Sequence, residues 1–460
     1  MGNKKNAWLK FDNTKKEEIF SFCEGYKKYI SDRKTERESI KEAIYLAESK
    51  GYRNLKNVIS AGKSLKAGDK VYYNNMDKSL ALFLIGSESI ESGMRIIGSH
   101  VDSPRLDLKP NPLYEDSELS LMETHYYGGV KKYQWVTIPL ALHGVVVKKD
   151  GTKIDVVVGE EETDPVVMVS DLLVHLASEQ QQKKATEVIA GEDLNILVGS
   201  MPLEGEEKEA VKANILKLLK EKYDFEEEDF MSAEIEIVPA GKARDLGLDR
   251  SMVAGYGHDD RICAYTSLLA LLETESTKKT SVVLLVDKEE VGSIGATGMQ
   301  SRFFENAVAE LMDRVGEYSE LKLRRALANS KMLSSDVTAA FDPNYAGAYE
   351  KKNSAFFGKG LAFAKYTGAR GKSGCNDANA EFVAWLRNVM DENDVAYQMA
   401  ELGKVDQGGG GTIAYILAEY GMEVIDCGVA LQNMHAPWEV ASKVDIFETM
   451  RGYKAFLMAE

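Results

Sequence analysis

A chain of 460 residues is too long for one ordinary hydrophobic core and predicts two or three domains, which its 44% hydrophobic content can fill. A formal net charge of −16 without any basic stripe argues against nucleic acid as a partner, and no apolar run reaches the ~18–20 residues that span a bilayer. Four cysteines without paired spacing (Cys23, Cys263, Cys375, Cys427) and the lack of a signal-peptide pattern exclude a disulfide framework or thiolate zinc site and lead us to expect a cytoplasmic protein.

Up to about residue 65 the pattern is helical. Residues 14–31 open with Asn13 and Thr14 as candidate caps, and 36–49 carry Ile40, Ala43, Ile44 and Leu46 on one face. Strands follow at Val71-Tyr72-Tyr73, Leu80–Ile85 and Met94–Ile97, the last running into Gly98-Ser99-His100. From about 135 to 240 β-branched runs dominate: Trp135–Leu142, Val145–Val147, Ile154–Val158 and Ile235–Val238 surround one helix near 208–222. This stretch predicts an inserted β-rich domain.

Beyond Asp260 helices and strands alternate. A helix near 262–274 precedes the strand 281–286, and a helix from about 298 precedes Lys331–Leu333. A helix near 377–391, a strand near 396–400, a helix after Gly411, the strand Glu423–Val429 and a helix from about Val444 complete the series. Such alternation predicts an α/β domain whose mostly parallel sheet is sandwiched by helices. Functional groups in such sheets gather at the carboxyl ends of the strands.

Candidate ligands fall at those ends. His100 and Asp102 follow one strand, Asp259-Asp260 precede a helix, Glu289-Glu290 follow the apolar run Ser281–Val286, and Asp336 and His435 each follow a further strand. Singly, each has a bland reading: a packed histidine, an N-cap, a solvated carboxylate. Together they make a nitrogen/oxygen set suited to zinc, cobalt or manganese, enough for two metals if one carboxylate bridges. Asp102, two residues beyond His100 in an extended segment, can accept the second imidazole N–H. Of the paired glutamates, one can bind metal while the other handles the proton of an attacking water.

Gly98-Ser99-His100-Val101-Asp102-Ser103-Pro104-Arg105-Leu106, Glu123-Thr124 with Tyr127-Gly128-Gly129, His258-Asp259-Asp260-Arg261, Glu289-Glu290-Val291-Gly292-Ser293, Ser335-Asp336, Asp342-Pro343-Asn344-Tyr345 and Met434-His435 resemble, in order, the aspartyl aminopeptidase family of dinuclear zinc peptidases. The likeness covers nearly the whole chain. It implies two divalent ions per subunit, zinc first and cobalt or manganese as alternatives. Asp259 would bridge them (Asp260 being the alternative), with His100 and Asp336 completing one site and Glu290 and His435 the other. Glu289 would be general base, then acid, and Asp102 would support His100.

The resemblance further implies a catalytic domain in two parts (1–105 and 246–460), a β-rich dimerisation domain (106–245), and dimers that assemble into a tetrahedral dodecamer. His175 would reach a neighbouring subunit's active site; its bland reading is a helix-face or core histidine. Peptides are the expected substrates, cleaved after the N-terminal residue, acidic residues (Asp or Glu) among them. Lys365 could pair with a substrate carboxylate, and Arg370 and Lys372 are further cations. The segment Val337-Thr338-Ala339-Ala340 lacks the histidine that aspartyl-selective members carry there.

The run Gly408–Gly411 lacks the Gly-Lys-Ser/Thr ending of a phosphate loop, and close backbone approach near the active site is expected instead. Three other functions stay open: a broad or glutamyl-type tetrahedral aminopeptidase, a di-zinc carboxypeptidase or deacylase, and a metal-stabilised scaffold that cleaves nothing.

Overall fold

The computed structural model describes residues 5–460, which divide into two compact units. One takes in the chain up to Asp102 with Ala243–Met434 and Glu439–Glu460; the other is Ser103–Lys242 with His435–Trp438.

The first unit is built on a nine-stranded sheet in the order Arg53–Asn54, Lys70–Asn75, Ser79–Leu84, Thr280–Val286, Met94–His100, Lys331–Ser335, Glu423–Gly428, Leu361–Ala364, Tyr397–Met399. Its centre is parallel: Thr280–Val286, Met94–His100, Lys331–Ser335 and Glu423–Gly428 run the same way. Ser79–Leu84 and Leu361–Ala364 flank that centre antiparallel. Strands buried on both faces read as unbroken apolar runs, and alternate residues enter two separate cores. Ile97, Val283, Leu285, Leu333 and Ile425 pack with the helices Glu36–Ser49, His258–Leu272, Ala380–Glu392 and Lys443–Met458. Ile96, Val282, Leu284, Met332 and Val424 pack with Phe303–Val315, Glu320–Ala328 and Ala414–Ala418. Gly98 ends the apolar part of its strand because a Cβ there would stand 2.5 Å from Met332 Cε and 2.9 Å from Ile413 Cδ1. A five-stranded sheet (Arg244–Leu246, Met252–Gly255, Glu439–Ser442, Ala430–Gln432, Thr338–Ala339) completes this unit.

The second unit is a seven-stranded antiparallel sheet, in the order Lys153–Val158, Leu140–Val147, Ala233–Pro239, Arg105–Asp116, Leu119–Tyr127, Ile196–Gly199, Met168–Val169, with the helix Ala210–Tyr223.

Several elements differ from expectation. The run Trp135–Leu142 becomes strand only at Leu140, because Trp135 closes a short 3-10 turn and buries its ring fully. The helix expected from about 298 begins at Phe303, since Asp287 bridges Gly298 and the Gln300 N–H donates to the Ser293 carbonyl, folding that stretch into a loop. The helix Glu320–Ala328 was not anticipated, although Ser319 caps it by accepting the Lys322 N–H. Leu361–Ala364 was also missed, four residues being too few to show a period.

Candidate active site

Four segments meet at the carboxyl end of the parallel strands. His100 ends Met94–His100 opposite Val286 of the neighbouring strand, and Glu289–Val291 form a 3-10 turn just beyond. Asp336 directly follows Lys331–Ser335, and its N–H donates to the Cys427 carbonyl at 2.8 Å. Asp259 and Asp260 lie in the first turn of His258–Leu272 with non-helical backbone angles, φ −79° and ψ 108° at Asp259 and φ −115° and ψ 24° at Asp260.

His100, Asp102, Asp259 and Asp260 are all buried. His100 Nε2 stands 3.2 Å from Asp259 Oδ1 and 3.8 Å from both Asp336 Oδ1 and Glu289 Oε2. Its Nδ1 faces Asp102, 2.9 Å from the carbonyl oxygen and 3.2 Å from Oδ1. A carbonyl can only accept, so Nδ1 carries a proton and Nε2 is the nitrogen turned to the carboxylates. Asp102 also organises the glutamate turn: its Oδ1 accepts the Glu289 N–H and its Oδ2 the Glu290 N–H, each at 3.2 Å. The His100 N–H in turn donates to Asp260 Oδ2 at 3.3 Å.

Two sets of ligand atoms lie within 4.8 Å of one another: His100, Asp260 and Asp336; and His100, Asp259 and Glu290. Both members of the Asp-Asp pair are thus in ligand reach, and Asp260 rather than Asp259 shares a set with Asp336. Buried Nε2 of His100 and Oδ1 of Asp260 have no hydrogen-bond partner among the described residues. Buried polar atoms left this way cost free energy, and a divalent cation would satisfy them. The imidazole and carboxylate donors fit zinc.

The carboxylates repel one another. Burial, and then Asp336, Asp102 and Asp259, push Glu289 up to about 8 against the opposing pull of His100. Burial and then Asp336 push Asp260 well above the carboxylate range. Burial pulls His100 down, but the carboxylates of Asp102, Asp259 and Asp336 around the ring outweigh it and leave the imidazole well above its usual value. Cations between these groups would replace the retained protons.

The remaining residues singled out in the sequence lie elsewhere. His435 belongs to the second unit, where its Nδ1 is 2.9 Å from the Gly129 carbonyl. His175 is exposed in a turn beside exposed Leu173, Val174 and Leu176, so neither the helix-face nor the core placement applies. Lys365 follows Leu361–Ala364 and pairs with Asp377, whose other oxygen binds Lys372 at 2.8 Å. In Gly408–Gly411 the close approach is to neighbouring loops: a Cβ on Gly409 would lie 2.5 Å from the Ala369 backbone, whereas Gly410 and Gly411 face open space. Asp426 and Glu439 are among the buried carboxylates that escaped the sequence reading. Asp426 interrupts an apolar strand, a legible sign of a costly buried charge, whereas nothing local distinguishes Glu439.

Residues 29–457 match the aminopeptidase I zinc metalloprotease (M18) family. The chain belongs to this family. A probable M18 family aminopeptidase 1 of Clostridium acetobutylicum is 66% identical over 454 residues, covering 98% of each chain. Its counterpart in Thermotoga maritima is 46% identical over 455 residues, covering 99% of this chain and 98% of that one. The solved M18 aminopeptidase of Thermotoga maritima has a TM-score of 0.94 with 45% identity and 99% of both chains covered. A yeast structure described as the mApe1 dodecamer shares the fold at 20% identity, with a TM-score of 0.77 over 95% of this chain and 96% of that one. The protein is therefore an aminopeptidase of a zinc metalloprotease family, and no helix among the described residues is long and apolar enough to cross a membrane.

Proposed function

We propose that the strand-end cluster is a two-metal peptidase centre that removes N-terminal residues from peptides, with Glu289 as the proton carrier. The observation that carries this reading is His100 Nε2, buried, without a hydrogen-bond partner, and ringed by Asp259, Asp336 and Glu289 within 3.8 Å. His100, Asp259, Asp260, Glu290 and Asp336 would hold the ions. When bound, two divalent ions supply Lewis-acid polarisation of the scissile carbonyl and of a water.

Glu289 then takes the proton of the attacking water on a carboxylate oxygen. It returns that proton to the leaving amine as the C–N bond breaks, so no proton is gained or lost over the cycle. Asp102 keeps the base in place by gripping the Glu289 and Glu290 N–H groups and fixes the tautomer of His100. The excess of carboxylates attracts a substrate's cationic α-amine, which favours aminopeptidase over endopeptidase action.

Comparing Glu289→Gln with wild type tests the reading: metal content should be unchanged while turnover collapses. Full turnover in that variant would sink it.

Acidic selectivity through Lys365 is one specificity reading. The Lys365–Asp377 ion pair, shared with Lys372, favours the second, a broader preference, because the ammonium already has an anionic partner. Rates on peptides beginning with Asp, Glu, Leu, Met or Lys decide between them.

The yeast dodecamer and the exposed Leu172, Leu173, Val174 and Leu176 beside His175 support assembly through the β-rich unit as dimers and then a dodecamer. Light scattering checks the mass. Four unpaired cysteines, three of them buried, support a cytoplasmic location.

A further inference from the structure

Glu439 has no part in the chemistry above, yet it is almost fully buried and its Oε2 accepts the Asp259 N–H at 3.0 Å. It lies on the strand Glu439–Ser442, paired with Gly255 of the strand that leads into the His258 turn. Other contacts grip the same turn. His258 Nδ1 is 2.6 Å from Tyr26 Oη, and buried Arg261 donates to the Tyr256 carbonyl at 2.7 Å and to the Lys34 carbonyl. The first N–H groups of a helix lack intrahelical partners, and here a side chain 180 residues away in sequence supplies the acceptor.

We infer that Glu439 is a positioning residue for the metal centre. Accepting the Asp259 N–H sets the direction in which the Asp259 carboxylate leaves the backbone, and thereby the metal affinity of the His100, Asp259 and Glu290 set. The position of the acceptor oxygen matters rather than the charge of Glu439. This inference rests on reading Asp259 as a ligand.

The test is a zinc titration of the metal-free full chain against a chromophoric chelator, with the visible spectrum of the cobalt-loaded protein as a second readout. Glu439→Gln keeps an oxygen at the same reach and should stay within about threefold of wild type. Glu439→Asp draws the acceptor back by one methylene, and Glu439→Ala removes it. Both should weaken zinc binding ~10–100-fold and alter the cobalt bands.

If Glu439→Ala fails to fold, the Asp and Gln variants decide. Equal affinity in those two, or weaker binding by Gln, overturns the inference, as does a failure of both to fold, which makes Glu439 a structural residue. Asp259→Ala is the control. Wild-type zinc binding there removes the ligand reading itself, whereas lost binding there with an unaltered Glu439→Asp removes only the role of Glu439.

Discussion

The two sheets solve burial in opposite ways. In the nine-stranded sheet, Thr280–Val286 and Met94–His100 are buried at every position, and the carboxylates of the candidate site come together where the strands end. In the seven-stranded sheet, Leu119–Tyr127 alternates between inward and outward residues and Lys153–Val158 buries only Val156. A strand enclosed on both faces drives its chemistry to its tip, where backbone ends and side chains share a small space. A strand with one wetted face spreads its polar groups along its length.

Glu289→Gln is the strongest test of that contrast. The charge at the strand tip should matter more than any side chain of the antiparallel unit, and kcat should fall ~10²–10⁴-fold with metal content unchanged. Elemental analysis beside steady-state kinetics checks both halves. Within the central sheet, Leu284→Ala removes a fully buried side chain from one of the two cores and should cost about 2–5 kcal/mol in urea unfolding.

A pH series of the metal-free protein sharpens the electrostatic side. Burial, chiefly, raises Asp426 to about 7 and Glu289 to about 8, so between the unfolded carboxylate values and these the folded chain binds more protons. Stability therefore falls as pH climbs from about 5 to 8. Thermal scans should show Tm dropping across that window, and added zinc should remove the part due to Glu289; a Tm that rises instead contradicts the assigned burial of charge. Smallest of all should be Val157→Thr, on a half-wetted strand of the antiparallel unit, with a change within ~0.5 kcal/mol.

Much of the central sheet was legible because an unbroken apolar run followed by carboxylates is a local pattern. Ser281–Val286 with Glu289-Glu290, and Met94–Ile97 with His100 and Asp102, carry strand, exit and chemistry within ten residues. Trp135 misled for the same reason: its apolar neighbours read as strand, but the ring is buried from a turn. Lys365 was legible as a cation and not as half of an ion pair with Asp377, because that pairing depends on how a twelve-residue excursion folds back.

By itself, the sequence determined the α/β class, the family and the kinds of donor atom at each strand end, since periodicity and residue chemistry are written in short windows. Only the tertiary structure decided that Asp260 shares His100 and Asp336 while Asp259 shares His100 and Glu290, and that Glu439 grips the Asp259 backbone. Those choices depend on backbone angles in one turn and on contacts between residues 160 to 180 positions apart, which no local pattern records.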